Sequence, residues 1–385
     1  MDSGIRMGVS GKRIAFLFAH LHKGGMQKAV SNISCALPES YQQYVIYFGS
    51  DNPGFTYNAK EIDLKASGAM RTGAAHKAAN FVRRVRRLQE FIDSERLDTV
   101  VSFGEAANVL NALTRRKRTV LSVRVSLEEG LAQTGRYGGA YRLLIRSLYR
   151  KADLVVPVSQ ALAEQLQHEI GVPEAKLKVI YNLYDLEKIR RLAQEPTPSQ
   201  YDPLWEQPTV VSVGSLIYQK GHEHLIRGFA AAKKRLAALQ LLLIGEGELE
   251  GRLRALASEL GVESSVHFVG FDSNPYRYMA RAQVFVLPSR FEGFPNVLAE
   301  AMICGAPVIA TDCKTGPREI LGESAYGVLL PNVRADNREA VEAQLAAAIL
   351  GMLESQHGER FRRLSLERSE DFSSEHILGK WLEAL

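Results

Sequence analysis

Short apolar runs alternate with stretches of helical periodicity twice along this 385-residue chain, and a proline-rich segment separates the two series. Such alternation predicts a parallel sheet flanked by helices. In the first series the expected strands are 13–18, 44–48, 99–103, 119–123, 154–158 and 178–181, with helices at 27–37, 76–94 and 139–150. Residues 195–208 hold four prolines in fourteen positions. Proline fits neither a helix interior nor a central strand, so we read this segment as a linker. The pattern then restarts. Strands are expected at 209–213, 239–244, 265–269, 284–287, 308–311 and 327–330, with helices at 222–235, 249–260, 274–280, 295–304, 317–321 and 338–353. The fold class is α/β, with domains at 13–194 and 209–372. A polar lead-in at 1–12 reads as disordered, and a helical tail covers 373–385. The length suits two domains.

Composition excludes several classes. The chain is 46% hydrophobic and 24% charged, ordinary for a globular protein. No run approaches the roughly 18 apolar residues needed to cross a bilayer, and the amino-terminal stretch lacks the apolar core of a secretory signal. Cys35, Cys304 and Cys313 form no C-x-x-C pair and read as free thiols in a reducing cytosol. Charge is uneven. Up to Glu195 there are 29 basic and 19 acidic residues, and after it 19 and 24. A basic first half points to an anionic partner there.

Residues 288–307 read PSRFEGFPNVLAEAMICGAP. Pro295 is expected as the first residue of a helix, Gly305 as its stop, and Pro307 prevents continuation. The loop of Glu292, Gly293, Phe294, Pro295 and Asn296 would then present backbone N–H groups at the positive end of a helix dipole, a ready anion site. Glu292 lies just before that helix and Glu300 about one turn inside it. Anion-binding amides between two hydroxyl-binding carboxylates suit a nucleotide sugar.

This block resembles the E-x7-E motif of the retaining glycosyltransferases of family 4, whose two Rossmann-like domains face a cleft in the arrangement called GT-B. The resemblance covers most of the chain and is strongest over 209–330. It implies that Glu300 binds donor ribose hydroxyls, Glu292 contacts the transferred sugar, and the backbone at Val269 and Phe271 holds the base. It implies that Lys220, in Val213-Gly214-Ser215-Leu216-Ile217-Tyr218-Gln219-Lys220-Gly221, holds the donor diphosphate. An arginine usually shares that task where this chain has Ser215, and Arg318 or Arg290 is the candidate substitute. Gly24 and Gly25, after the first strand, would face the donor phosphate and acceptor. Relatives often carry Glu where Gln27 stands. Arg124 is expected near the sugar, and His20 and His22 flank the glycine loop. The segment 311–321 looks like that of bacterial transferases that extend glycans on a lipid carrier. The last helix is expected to pack back on the first domain.

The chain has no Asp-x-Asp and no metal-ligand spacing, so a metal-free site is expected, with no cofactor beyond a co-substrate, a UDP-sugar. The acceptor implied is a glycan, lipid-diphosphate-linked. Arg136, Arg142, Arg146, Arg150 and Lys151 accompany Tyr137, Tyr141, Leu144, Ile145, Leu148 and Tyr149, and Arg83, Arg84, Arg86 and Arg87 form a second basic cluster. These suit a membrane surface at the cytoplasmic face. No nucleic-acid motif is present. Two rival readings are a nucleotide-sugar epimerase of similar architecture and a non-catalytic sugar-nucleotide-binding subunit.

Overall fold

The computed structural model describes residues 11–21, 24–50, 54–65, 74–114, 117–125 and 138–385. Most of the lead-in, His22, Lys23, Arg136 and Tyr137 lie outside these residues. The chain forms two compact units, Met1–Leu183 with Ile377–Leu385, and Tyr184–His376.

The first unit carries strands β1 (Arg13–Phe18), β2 (Gln42–Tyr47), β3 (Lys60–Asp63), β4 (Thr99–Phe103), β5 (Arg118–Val123) and β6 (Leu154–Pro157). All pair in parallel, in the order β3-β2-β1-β4-β5-β6. Alternate residues of β1 enter different cores: Ile14, Phe16 and Phe18 one, Ala15 and Leu17 the other. Helices therefore cover both faces, as an all-parallel sheet requires. The helix Ser374–Ala384 supplies Ile377 and Trp381 to the first of these cores, and Trp381 stacks on Phe103 with centroids 6.2 Å apart.

The second unit repeats the plan with β7 (Thr209–Val213), β8 (Gln240–Ile244), β9 (Val266–Gly270), β10 (Val284–Leu287), β11 (Val308–Asp312) and β12 (Val328–Pro331), in the order β12-β11-β10-β7-β8-β9. In each sheet the winding direction reverses once, between β1 and β4 and between β7 and β10. Ligands bind outside the carboxyl ends of strands at such a reversal.

Three expectations change. The strand expected at 178–181 is an extended segment held to β6 by Lys178 N–H to Val155 O and Ile180 N–H to Pro157 O, and β3 is the sixth strand instead. Its sequence, KEID, has no apolar run because it is an edge strand with mostly exposed side chains. The boundary falls at Leu183, not 194, because Asp185 caps a helix, Leu186–Ala193, that belongs to the second unit. Residues 195–208 are no free linker: Ser199–Glu206 is a 3-10 turn whose Tyr201 packs edge-on to Tyr278 at 6.0 Å, and Trp205 Nε1 donates to Thr197 Oγ1 at 2.9 Å.

Candidate functional site

Lys220 follows β7 and Glu292 follows β10, so the reversal in the second sheet brings them together. Lys220 Nζ lies 2.6 Å from Glu292 Oε1, with the side chains 18% and 7% exposed. Ser289 Oγ donates to the same carboxylate oxygen at 2.7 Å, and Thr315 Oγ1 donates to the Glu292 carbonyl. Two backbone features fix this geometry. The Lys220 stem crosses Gly214, where an added Cβ would meet Cδ at 3.5 Å. Gly221, at φ +63°, brings its backbone so close to Pro288 that a Cβ would sit 2.2 Å from that carbonyl oxygen.

The helix after Glu292 runs Asn296–Ile303, with Pro295 as its N-cap rather than its first residue. Pro295 has ψ 100°, outside the helical region, and its carbonyl accepts from Leu298 N–H at 3.0 Å. The Gly316 loop presses on this entry: a Cβ on Gly316 would be 2.7 Å from Pro295 Cδ. Gly305 ends the helix at φ +75°. Glu300 is 1% exposed on the buried side, and Gly293 and Phe294 are buried too. Asn296 accepts a hydrogen bond from Tyr184 Oη at 2.6 Å.

Ser215 is exposed. Arg290 pairs with Glu223 at 2.6 Å and lies 4.2 Å from the Tyr218 ring centroid. Arg318 pairs with Asp312. Both candidate substitutes are thus paired with carboxylates, and so is Lys220. Its neighbour His222 is buried, and burial together with the Lys220 charge pushes its pKa down to about 3. It is neutral and adds no charge. Burial pushes the Cys313 thiol up to about 12, so it is no nucleophile.

Val269 lies on β9 and Phe271 just past it, with an exposed ring. Phe271 N–H donates to Glu246 Oε1 at 3.3 Å. Glu246 escaped the sequence reading, although it stands between two glycines directly after an expected strand. Those glycines carry the packing: a Cβ on Gly245 would be 2.1 Å from Gly214 O, and one on Gly247 2.4 Å from Leu216 O.

In the first unit, Gly24 is the extended N-cap of helix Gly25–Ala36, which buries Gln27. Met26 Sδ would lie 3.4 Å from a Cβ on Gly104. Arg124 is buried, donates to Asn182 Oδ1 and stands 5.7 Å over Phe103. His20 is exposed and packs against Gly49. Glu105, also missed, accepts from Tyr149 Oη at 2.9 Å, and burial pushes its pKa up to about 7. It opens a helix, Glu105–Thr114, that follows the buried strand β4.

The apolar face expected on helix Gly138–Tyr149 divides. Ile145, Leu148 and Tyr149 are core, while Leu143 (67%) and Leu144 (41%) are exposed beside Arg142 and Arg146. Helix Ala74–Ser94 likewise exposes Phe81 and Val82 beside its arginines. Among the described residues, no helix is long and apolar enough to cross a membrane, and no cluster of His, Cys, Asp and Glu has metal-binding geometry.

Two family profiles match in tandem: Glycosyltransferase Family 4 over residues 23–188 and Glycosyl transferases group 1 over residues 197–362. Among relatives, the chain is 40% identical over 200 residues to the N-acetylgalactosamine-N,N'-diacetylbacillosaminyl-diphospho-undecaprenol 4-alpha-N-acetylgalactosaminyltransferase of Campylobacter jejuni, across 52% of each chain. It is 26% identical over 368 residues to the amylovoran biosynthesis glycosyltransferase AmsD of Erwinia amylovora, across 94% of this chain and 96% of that one. The crystal structure of Anabaena HepE in complex with UDP superposes with a TM-score of 0.75 at 21% identity, over 96% of this chain and 98% of that one. Two six-stranded parallel sheets in one chain, each under its own glycosyltransferase profile, place this protein in the GT-B glycosyltransferases with a family 4 first half and a group 1 second half.

Proposed function

We propose that the protein transfers a sugar, with retention of anomeric configuration, from a UDP-sugar to a lipid-diphosphate-linked saccharide during bacterial surface-glycan synthesis. The observation that carries the donor half is the Lys220–Glu292 pair beside the start of helix Asn296–Ile303. A cation only 18% exposed, with helix-start amides following in the same site, meets a diphosphate with little solvent to reorganise, a large electrostatic contribution. Glu292 pairs with the Lys220 cation. A bound diphosphate takes Lys220 over and releases Glu292 to accept from sugar hydroxyls. Glu300 serves the ribose in the same way, and Val269, Gly270 and Phe271 border the base. The acceptor hydroxyl attacks on the face the diphosphate leaves, and a phosphate oxygen takes its proton. No protein nucleophile and no metal enter this account.

The UDP in the HepE structure supports the donor base, the Campylobacter relative's name supports a lipid-diphosphate-linked acceptor, and the AmsD name supports glycan synthesis. Basic helices exposing Phe81, Val82, Leu143 and Leu144 suit an anionic membrane surface, and this supports a reading at the inner face of the cell membrane.

The test is thermal stabilisation by UDP, GDP, ADP and their sugar conjugates, with chelator, in the unaltered chain and Glu300→Ala. A ligand that binds only the folded state raises its melting temperature. A shift with UDP and UDP-sugars that Glu300→Ala abolishes supports the reading. No shift with any nucleotide overturns it. Conversion of a UDP-sugar without acceptor identifies an epimerase instead.

A further inference from the structure

The chain enters the second unit at Tyr184 and leaves it at His376. The two crossings are hydrogen-bonded to each other. Tyr184 N–H donates to Phe372 O at 2.9 Å, Ser374 N–H donates to Tyr184 O at 2.9 Å, and the Ser374 hydroxyl donates to that same carbonyl at 3.0 Å. Each crossing also sends an aromatic ring to the loop after Glu292. Tyr184 Oη donates to Asn296 Oδ1 at 2.6 Å, and Phe372 packs edge-on against Phe294 with centroids 5.7 Å apart. Both rings are buried. Two residues upstream, Asn182 accepts from Arg124 within the first unit.

We propose that Tyr184 is a positioning residue of the donor site: its hydroxyl fixes Asn296 at the first turn of the helix that carries Glu300, and occupancy of the diphosphate site is thereby transmitted to both crossings. This rests on the donor reading above. A diphosphate that draws Lys220 from Glu292 changes the restraints on the 292–296 loop. Any shift of Asn296 or Phe294 is taken up by Tyr184 or Phe372, because close-packed interiors move between discrete arrangements rather than stretching. The coupling is reciprocal: the factor by which UDP favours the hydrogen-bonded arrangement of Tyr184 and Asn296 is the factor by which that arrangement favours UDP.

The experiment is UDP titration calorimetry with amide hydrogen exchange on the unaltered chain, Tyr184→Phe, Asn296→Ala and the double variant. Tyr184→Phe keeps the ring and removes one hydrogen bond. Its UDP affinity falls about five-fold, equivalent to about 1 kcal/mol. UDP slows exchange at 183–186 and 372–376 in the unaltered chain and not in Tyr184→Phe. The double variant loses no more affinity than Asn296→Ala alone. Equal UDP affinity in Tyr184→Phe, or additive losses in the double variant, overturns the coupling and leaves the donor reading standing. Failure of the unaltered chain to bind UDP overturns both. If Tyr184→Phe does not fold, Phe372→Leu is read in its place: loss of UDP-dependent protection at 183–186 supports the coupling, and retained protection overturns it.

Discussion

Glu292 neutralises Lys220 at 2.6 Å in a mostly buried site, so the residue expected to touch the sugar is also the counter-ion of the residue expected to touch the diphosphate. Glu292→Gln removes that competitor. UDP then binds tighter, by about three- to ten-fold. Turnover falls by about 100-fold or more, since the carboxylate no longer accepts from the sugar. Lys220→Ala acts oppositely: UDP affinity drops at least ten-fold, and stability falls by about 3 kcal/mol because a buried carboxylate loses its cation. Calorimetry with UDP and single-turnover rates with the UDP-sugar check both. Equal effects of the two variants on UDP affinity would sink the competition argument.

Gly221→Ala tests the turn that aims Lys220. The residue has φ +63°, and its Cβ would meet Pro288 O at 2.2 Å, a backbone atom that cannot swing aside. We expect a loss of about 2–4 kcal/mol and a loss of UDP binding larger than that of Tyr184→Phe. Gly251→Ala is the control. Gly251 sits in helix Glu250–Glu259 with open space around its Cβ, and the change stabilises by about 0.5–1 kcal/mol. Chemical denaturation midpoints separate the two.

Much of this was legible in the sequence because parallel strands buried on both faces are near-continuous apolar runs, as in β7 and β8. Lys220 and Glu292 stood out because segments 213–221 and 288–307 resemble motifs of the family 4 transferases. What escaped detection had a physical reason. β3 is an exposed edge with no apolar signal. Helix Leu186–Ala193 buries only Leu186 and Ile189, too few residues to mark a face. The proline-rich segment reads as a linker because the partners of Thr197, Tyr201 and Trp205 include Tyr278 and Arg281, more than seventy positions away. Pro295 fits the first helical position by propensity, but its ψ of 100° makes it the N-cap, packed against Gly316 twenty-one positions on.

Glu105 gives the protein a pH dependence near neutrality. Burial raises its pKa to about 7 in the folded chain, and Tyr149 only partly offsets this by donating to the carboxylate. Between its ordinary value and about 7 the folded state holds a proton that the unfolded state has released. Stability from this group is therefore full at low pH and is lost as pH rises through that window, by about 3 kcal/mol in all. Glu105→Gln, which stays neutral, removes this slope. Urea unfolding of both chains at pH 5 and pH 8 measures it, and parallel slopes would refute the assignment.

Trp381 ties the end of the chain to the core of the first unit. Its ring is fully buried, stacked on Phe103, in the cluster that also contains Phe16, Phe18 and Val101. Thr99 Oγ1, on the adjacent strand β4, donates to the Leu385 carbonyl at 2.8 Å. Trp381→Ala leaves a cavity the size of an indole against β4, at a cost of about 3–5 kcal/mol. The damage is local to the first unit, because the second unit's core shares none of these residues. Hydrogen exchange thus quickens in β1 and β4 while β7 and β10 keep their protection, and UDP binding survives wherever the chain stays folded. Uniform loss of protection across both sheets would show instead that the two units unfold as one.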